Sequence, residues 1–164
     1  MEEIAIASYA VIIFALMKKQ NIYDHYMEVL NDRLCSLRQV CEDLKESSSN
    51  ETKSTAGDKH ETALAMLQIE QARIGAQLQD IREKKAALEK IDPKLSSSTI
   101  VPGSLVTTDK GYLFISIALG KATIQGDVVF ALSPQSPLGQ KMMGLSVSDV
   151  AEINHNRYVI ENIE

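Results

Sequence analysis

Two heptad-spaced apolar stretches, joined by a segment with nothing larger than alanine to bury, constrain this chain more than any other feature. Tyr23, Met27, Leu30, Leu34, Leu37, Cys41 and Leu44 follow one another at alternating steps of 4 and 3, with charged residues between them. Leu64, Leu67, Gln71, Ile74, Leu78, Ile81, Lys85 and Leu88 keep the same alternation. A stripe at that spacing runs down one side of an α-helix and has to be covered by another helix. Residues 47–61 lie between the two stretches and are polar, Ser-rich and without a core of their own. They read as the tip of a helical hairpin. The two seams are of similar length. This favours an antiparallel coiled coil within one chain over a parallel one between two copies, so a monomer is expected. Gln71 and Lys85 put polar groups on the second seam, where they lower stability and fix register. Asn21 is expected to cap the first helix, which would run roughly 39 Å to Glu46 at about 1.5 Å per residue. Asp92-Pro93 is expected to end the second, because the residue before proline is pushed out of the α region.

Ahead of the first arm lies a mostly apolar run, Ile4 to Met17. It is short for a bilayer span, which needs about 20 residues. It follows Glu2 and Glu3, where a signal peptide carries positive charge, and it leads into Met17-Lys18-Lys19 without a small-residue cleavage site. The run can be a membrane anchor, an added helix, or sequence upstream of a native start at Met17. The Met-Lys-Lys sequence favours the last, and no membrane contact is expected.

Beyond Lys94–Ser98, a Ser-rich linker, the period changes from 3.5 to 2. Strands are expected at Leu105–Thr108, Tyr112–Leu119, Val128–Leu132, Val150–Ile153 and Arg157–Ile163. Asp109-Lys110-Gly111, Gln125-Gly126-Asp127 and Asn154-His155-Asn156 mark turns between them. Ser136 to Gly144 reads as a short helix, with Ser136 as N-cap, Pro137 at N1 and Gly144 ending it. Residues 99–164 thus form a compact β-rich domain with one helix, at the small end for independent folding. The fold class is α+β.

Composition narrows the function classes. The net charge of −5 and the pI near 5.3 oppose charge-driven nucleic-acid binding, which wants a clustered basic face. They do not oppose contact with a protein that itself binds nucleic acid. Tryptophan is absent and other rings are few, so little is available for an aromatic ligand pocket. Cys35 and Cys41 are six residues apart on one helical pattern and point different ways, and no Cys/His set has zinc spacing. A reducing, cytoplasmic setting is the simpler expectation. The sequence contains no Ser/His/Asp set, phosphate loop or paired Cys nucleophile, so no enzymatic activity or cofactor of its own is expected.

The closing residues carry a resemblance. Ala131-Leu132-Ser133-Pro134-Gln135-Ser136-Pro137-Leu138-Gly139, then Gly144, Val147, Asp149 and Tyr158-Val159-Ile160, resemble the C-terminal domain of the Gre (GreA/GreB) family of bacterial transcription elongation factors. The resemblance covers residues 99–164; over 21–92 it extends to architecture. It implies an FKBP-like β domain that docks at the rim of the RNA polymerase secondary channel, and a coiled coil that reaches down the channel. In that family two tip acids help hold the second Mg²⁺ of the polymerase, whose own active site then hydrolyses backtracked RNA. Two-metal phosphoryl chemistry needs carboxylates beside a weakly held cation, so an acidic tip can complete such a site.

The tip departs from the family pattern. Glu51 stands where the first acid would be, and Lys53 and Ala56 match, but Ser54 replaces the second acid. Asp58 can supply a carboxylate from elsewhere in the loop, or can pair with Glu61 as a D-x-x-E cap of the second arm. The resemblance further implies polymerase contact at Gln135, Ser136 and Pro137, where a neutral Gln135 replaces the acid of some members. Ser148 stands where the family has glycine. Prolyl isomerase activity is not expected from so few rings. Three readings follow: a factor that stimulates transcript cleavage, a channel occupant that does not, and a coiled-coil interaction protein unrelated to transcription.

Overall fold

A computed structural model describes residues 2–51 and 57–164, with side chains described for 18–47 and 62–164. The chain is α+β. Two long helices, α1 (Glu2–Glu51) and α2 (Gly57–Glu89), precede strands β1 (Leu105–Thr108), β2 (Gly111–Ile115), β3 (Gly120–Ile124) and β4 (Asp127–Leu132). Helix α3 (Pro137–Met142) and strands β5 (Val150–Ile153) and β6 (Asn156–Ile163) complete it. The chain divides into two compact units, one of Met1–Met27 with Ala87–Glu164 and the other of Glu28–Ala86.

In the Glu28–Ala86 unit, burial follows the heptad. Leu30 and Leu34 on α1 and Ile74, Leu78 and Ile81 on α2 are buried. From residue 31 to 47, every side chain that is not exposed is a seam residue: Leu34, Leu37, Cys41 and Leu44. On α2 the polar seam residues Gln71 and Lys85 are half-buried, as are Glu70 and Lys84 beside them. Cys35 is exposed and Cys41 half-buried, both as free thiols.

Asn21 does not cap a helix. It lies inside α1, which is already helical from Glu2. The residues before it contain neither glycine nor proline, so nothing interrupts the helix, and an N-cap needs extended backbone that Asn21 does not adopt here. At the other end α2 stops at Glu89, ahead of Asp92-Pro93. Asp92 closes a local turn by accepting a bond from Lys94 N at 2.9 Å, an alternative to continuing the helix.

The other unit is built on a six-stranded mixed sheet of order β3-β4-β2-β1-β6-β5. β2 and β4 are parallel and every other pair is antiparallel. The sequence pattern suggests one strand over Tyr112–Leu119, but β2 ends at Ile115 and a further strand, β3, begins at Gly120. Leu119 N bonds Ile117 O at 3.0 Å, a tight turn, and Gly120 takes φ +77. This reversal carries the chain past β4, so β4 fits between β2 and β3. β3 escapes the pattern because Gly120-Lys121-Ala122-Thr123-Ile124 is an edge strand with one strongly apolar residue, Ile124, at its end. Gln125-Gly126 and Asn154-His155 form two-residue hairpin loops with φ positive at both positions, as their tight turns require.

The sheet has a different cover on each face. On one face Val106, Leu113, Ile115, Ala151 and Ile160 pack with Ile100 and with Met142 of α3. On the other, Leu105, Phe114, Val129 and Ala131 are buried. Their cover is the stretch of α1 from Lys18 to Tyr26. The Tyr26 ring stacks on Phe114 with centroids 6.3 Å apart, and its hydroxyl donates to Gly120 O and Val129 O, each at 3.1 Å. Ile22, 1% exposed, fills the next turn. Burying such a side chain contributes about 1.5–3 kcal/mol. Lys18 sits over the Tyr112 ring at 3.5 Å and reaches Asp127 at 2.8 Å. Lys19, 1% exposed, donates to Leu95 O at 2.6 Å and to Glu164 O at 2.9 Å. Tyr26→Phe keeps the ring stack and leaves both carbonyls without the phenol. It is expected to cost about 1 kcal/mol in thermal or denaturant unfolding, whereas Tyr26→Ala should cost about 3–5 kcal/mol.

Burial lowers the pKa of Lys19 against the pull of Glu164 and Asp92. Burial raises the pKa of the Glu164 carboxyl despite Lys18 and Lys19 nearby, and its Oε2 is buried without a hydrogen-bond partner. A carboxyl raised on folding stabilises the fold below about pH 4.5 and loses that contribution as pH rises through its folded value. Glu164→Gln should therefore melt higher than the parent at pH 7, and melting curves at pH 4 should show the gap closing.

Candidate functional site

The best-built surface feature of the β unit is the turn from β4 into α3. Ser136 begins the helix in extended conformation, and its Oγ accepts from Gly139 N at 3.0 Å. The same hydroxyl donates to Ser133 O at 2.7 Å, so one side chain ties both ends of the turn. Gln135 N donates to Ser133 Oγ at 3.2 Å, and Gln140 Nε2 donates to Gln135 O at 3.0 Å. Pro137 occupies the first helical turn, where its missing N–H has no partner to lose. Gly139 is buried against the turn, and a Cβ there would overlap the Ser133 carbonyl oxygen. Gln135 and Pro137 are exposed and Ser136 is half-buried. The sequence-derived candidates at 135–137 therefore share one rigid, outward-facing corner.

Beside that corner is a groove the sequence reading did not identify. Its volume is about 240 Å³, and Leu113, Phe130, Leu132, Leu138 and Tyr158 supply its apolar lining. It exists because α3 is too short for the sheet. Six residues make a helix about 9 Å long, whereas six strands span about 24 Å. The helix covers the β1, β2, β6 and β5 side and leaves Val128 and Phe130 of β4 exposed at 38% and 40%. Lys110 closes one end, its Nζ 4.6 Å from the Tyr158 ring centroid. The available signal was the alternation Val128, Phe130, Leu132 on one strand face opposite a helix of one and a half turns.

Other singled-out positions stand apart from this corner. Glu51 is the last residue of α1 and Asp58 the second of α2, but their side chains, and all of Lys53 and Ser54, lie outside the described residues. So does the proposed pairing of Asp58 with Glu61 at the start of α2. Ser148 adopts φ +75, a left-handed conformation that glycine takes without cost. Among the described residues, no three His, Cys, Asp or Glu side chains are grouped so as to hold a metal ion. Among the same residues no helix is long and apolar enough to cross a membrane.

Compared with protein-family models, curated proteins and solved structures, the chain matches none. Gly139→Ala should strain the corner and destabilise the β unit by about 1–3 kcal/mol, the usual cost of forcing an atom into a filled space. Ser136→Ala should cost about 1 kcal/mol through the lost cap. Chemical denaturation of both variants measures this.

Proposed function

We propose that this chain binds RNA polymerase and acts as an elongation-factor-like protein. The tip between α1 and α2 enters the polymerase secondary channel, and the β unit docks outside it. The carrying observation is a pairing within one chain. A two-helix unit buries its heptad seam, and a β unit displays the Ser133–Gly139 corner on which the resemblance to the Gre family rests. The seams support an antiparallel coiled-coil hairpin, a shape that reaches into a narrow opening. The corner supports docking because its backbone is fixed and two of its three candidate residues face solvent.

In this reading Gln135, Ser136 and Pro137 meet the polymerase through shape and neutral hydrogen bonds. Glu51 brings one carboxylate toward the polymerase active site and Asp58 is the candidate for a second. The bound metal and the hydrolysis belong to the polymerase. Ser54 in place of an acid favours a second reading, in which the tip occupies the channel without promoting cleavage, since a hydroxyl supplies no negative charge.

The test is transcript cleavage on stalled, backtracked elongation complexes. A cleavage factor raises the rate, and Glu51→Ala lowers that stimulated rate at least tenfold while binding persists. Binding with no change in rate leaves the channel-occupant reading. Failure to bind polymerase, where a known Gre factor does, leaves a coiled-coil interaction protein outside transcription.

A further inference from the structure

An open sheet ends in two strands whose outer N–H and C=O groups have no strand to bond, and β3 is one of them. Which groups face outward follows from the hairpin. β3 and β4 are joined by the two-residue loop Gln125-Gly126, so the flanking pair Ile124 and Asp127 exchanges hydrogen bonds, as do Ala122 with Val129 and Gly120 with Ala131. The N–H and C=O of Lys121 and Thr123 therefore point away from β4. Among the described residues no group bonds them. Both residues are exposed. The strand carries no proline and keeps unbroken register with β4, so no bulge turns its edge away.

Of the two edges, β3 is also the one beside uncovered apolar surface. Val128 and Phe130 on β4 are 38% and 40% exposed, whereas no large apolar side chain of β5 or β6 is exposed. Val128 and Phe130 are the cross-strand partners of Thr123 and Lys121, so the four side chains share one sheet face.

The edge is complementary to itself. A second β3, related by a two-fold axis through Ala122, sets Lys121 opposite Thr123 of the second copy and Thr123 opposite its Lys121. Both outward residues of each strand are then paired, and about four hydrogen bonds join the copies. Shifting the register by two residues sets Lys121 opposite Lys121 or Thr123 opposite Thr123. The remaining outward residue then faces Leu119 or Gln125, which lie outside the strand. The central register avoids opposed like charges and puts the small Ala122 on the axis. Phe130, the Lys121 stem, and Thr123 and Val128 of the second copy then form one continuous row.

We infer that the β3 edge pairs antiparallel with β3 of a second copy of this chain, joining two sheets across a two-fold axis. The contact leaves the helical seams untouched and is independent of the polymerase-binding reading. One strand of five residues is a small contact beside the roughly 1,200–2,000 Å² of stable interfaces. The dimer is therefore weak and forms as concentration rises.

The experiment is sedimentation velocity of the full chain between about 0.01 and about 1 mM, where weak interfaces assemble. The parent is expected to pass from monomer to dimer. Thr123→Pro removes an outward N–H and leaves the bonds to β4 in place. Checked by thermal melting, it is expected to weaken association about tenfold or more, through one lost hydrogen bond from each copy. If Thr123→Pro melts early, disulfide trapping decides, in a chain whose Cys35 and Cys41 are changed to alanine. With oxidised glutathione, Ala122→Cys should form a linked dimer readily, because paired residues on the axis lie about 4.5 Å apart between Cα atoms. Lys121→Cys should not, because its counterpart in the second copy is displaced along the strand beyond the reach of a disulfide. A parent that stays monomeric, a folded Thr123→Pro that dimerises like the parent, or trapping no faster at residue 122 than at 121 overturns the inference.

Discussion

The contact on which the β unit depends is the seat of Tyr26 and Lys19 on the sheet. A mixed sheet of six strands has two faces to cover, and the short helix α3 covers part of one. The remaining face is closed by α1. Tyr26 stacks on Phe114 and shares its hydroxyl between the backbones of β3 and β4, while Lys19 binds backbone oxygens of Leu95, in the segment after α2, and of Glu164, next after β6. Residues far apart in sequence are thereby fixed to one helix. A buried ammonium held by two carbonyls is costly to desolvate, as its lowered pKa reflects. It fits a position where the register of a helix over a sheet has to be unique.

The same division of cover shapes the outer surface. α1 spans its face as part of a 50-residue helix, but α3 is six residues long and stops short of β4. The strand left over presents Val128 and Phe130, and beside it the Ser133–Ser136 turn is tied down by its own hydroxyls. Rigid backbone next to uncovered apolar surface is the physical basis for reading this end of the sheet as a place of contact.

The long helices were legible because heptad spacing leaves a helix few alternatives, and the exposed and covered residues of 31–47 follow it position by position. Ser136-Pro137 and the closing hairpin were legible from turn chemistry. β3 was not, because its one strong apolar residue, Ile124, follows Gly, Lys, Ala and Thr, and an edge strand needs no buried alternation. The role of Lys18, Ile22 and Tyr26 was hidden for another reason. Ile22 and Tyr26 fall beside the heptad positions Tyr23 and Met27, Lys18 lies ahead of the seam, and no local pattern reveals that a helix meets a sheet some 90 residues further on. The groove was hidden likewise, as it arises from a mismatch between helix and sheet dimensions that only the assembled strand order exposes.

The central structural claim is that α1 completes the β unit. Its most direct test is the solution behaviour of residues 99–164 alone against the full chain, by amide NMR dispersion and thermal unfolding. The isolated segment lacks Lys18, Lys19, Ile22 and Tyr26, so the face of Phe114 and Val129 lies open to water. The account predicts poor dispersion and no cooperative transition for the segment, with both present in the full chain. A well-dispersed segment that melts cooperatively near the full chain's temperature would contradict it.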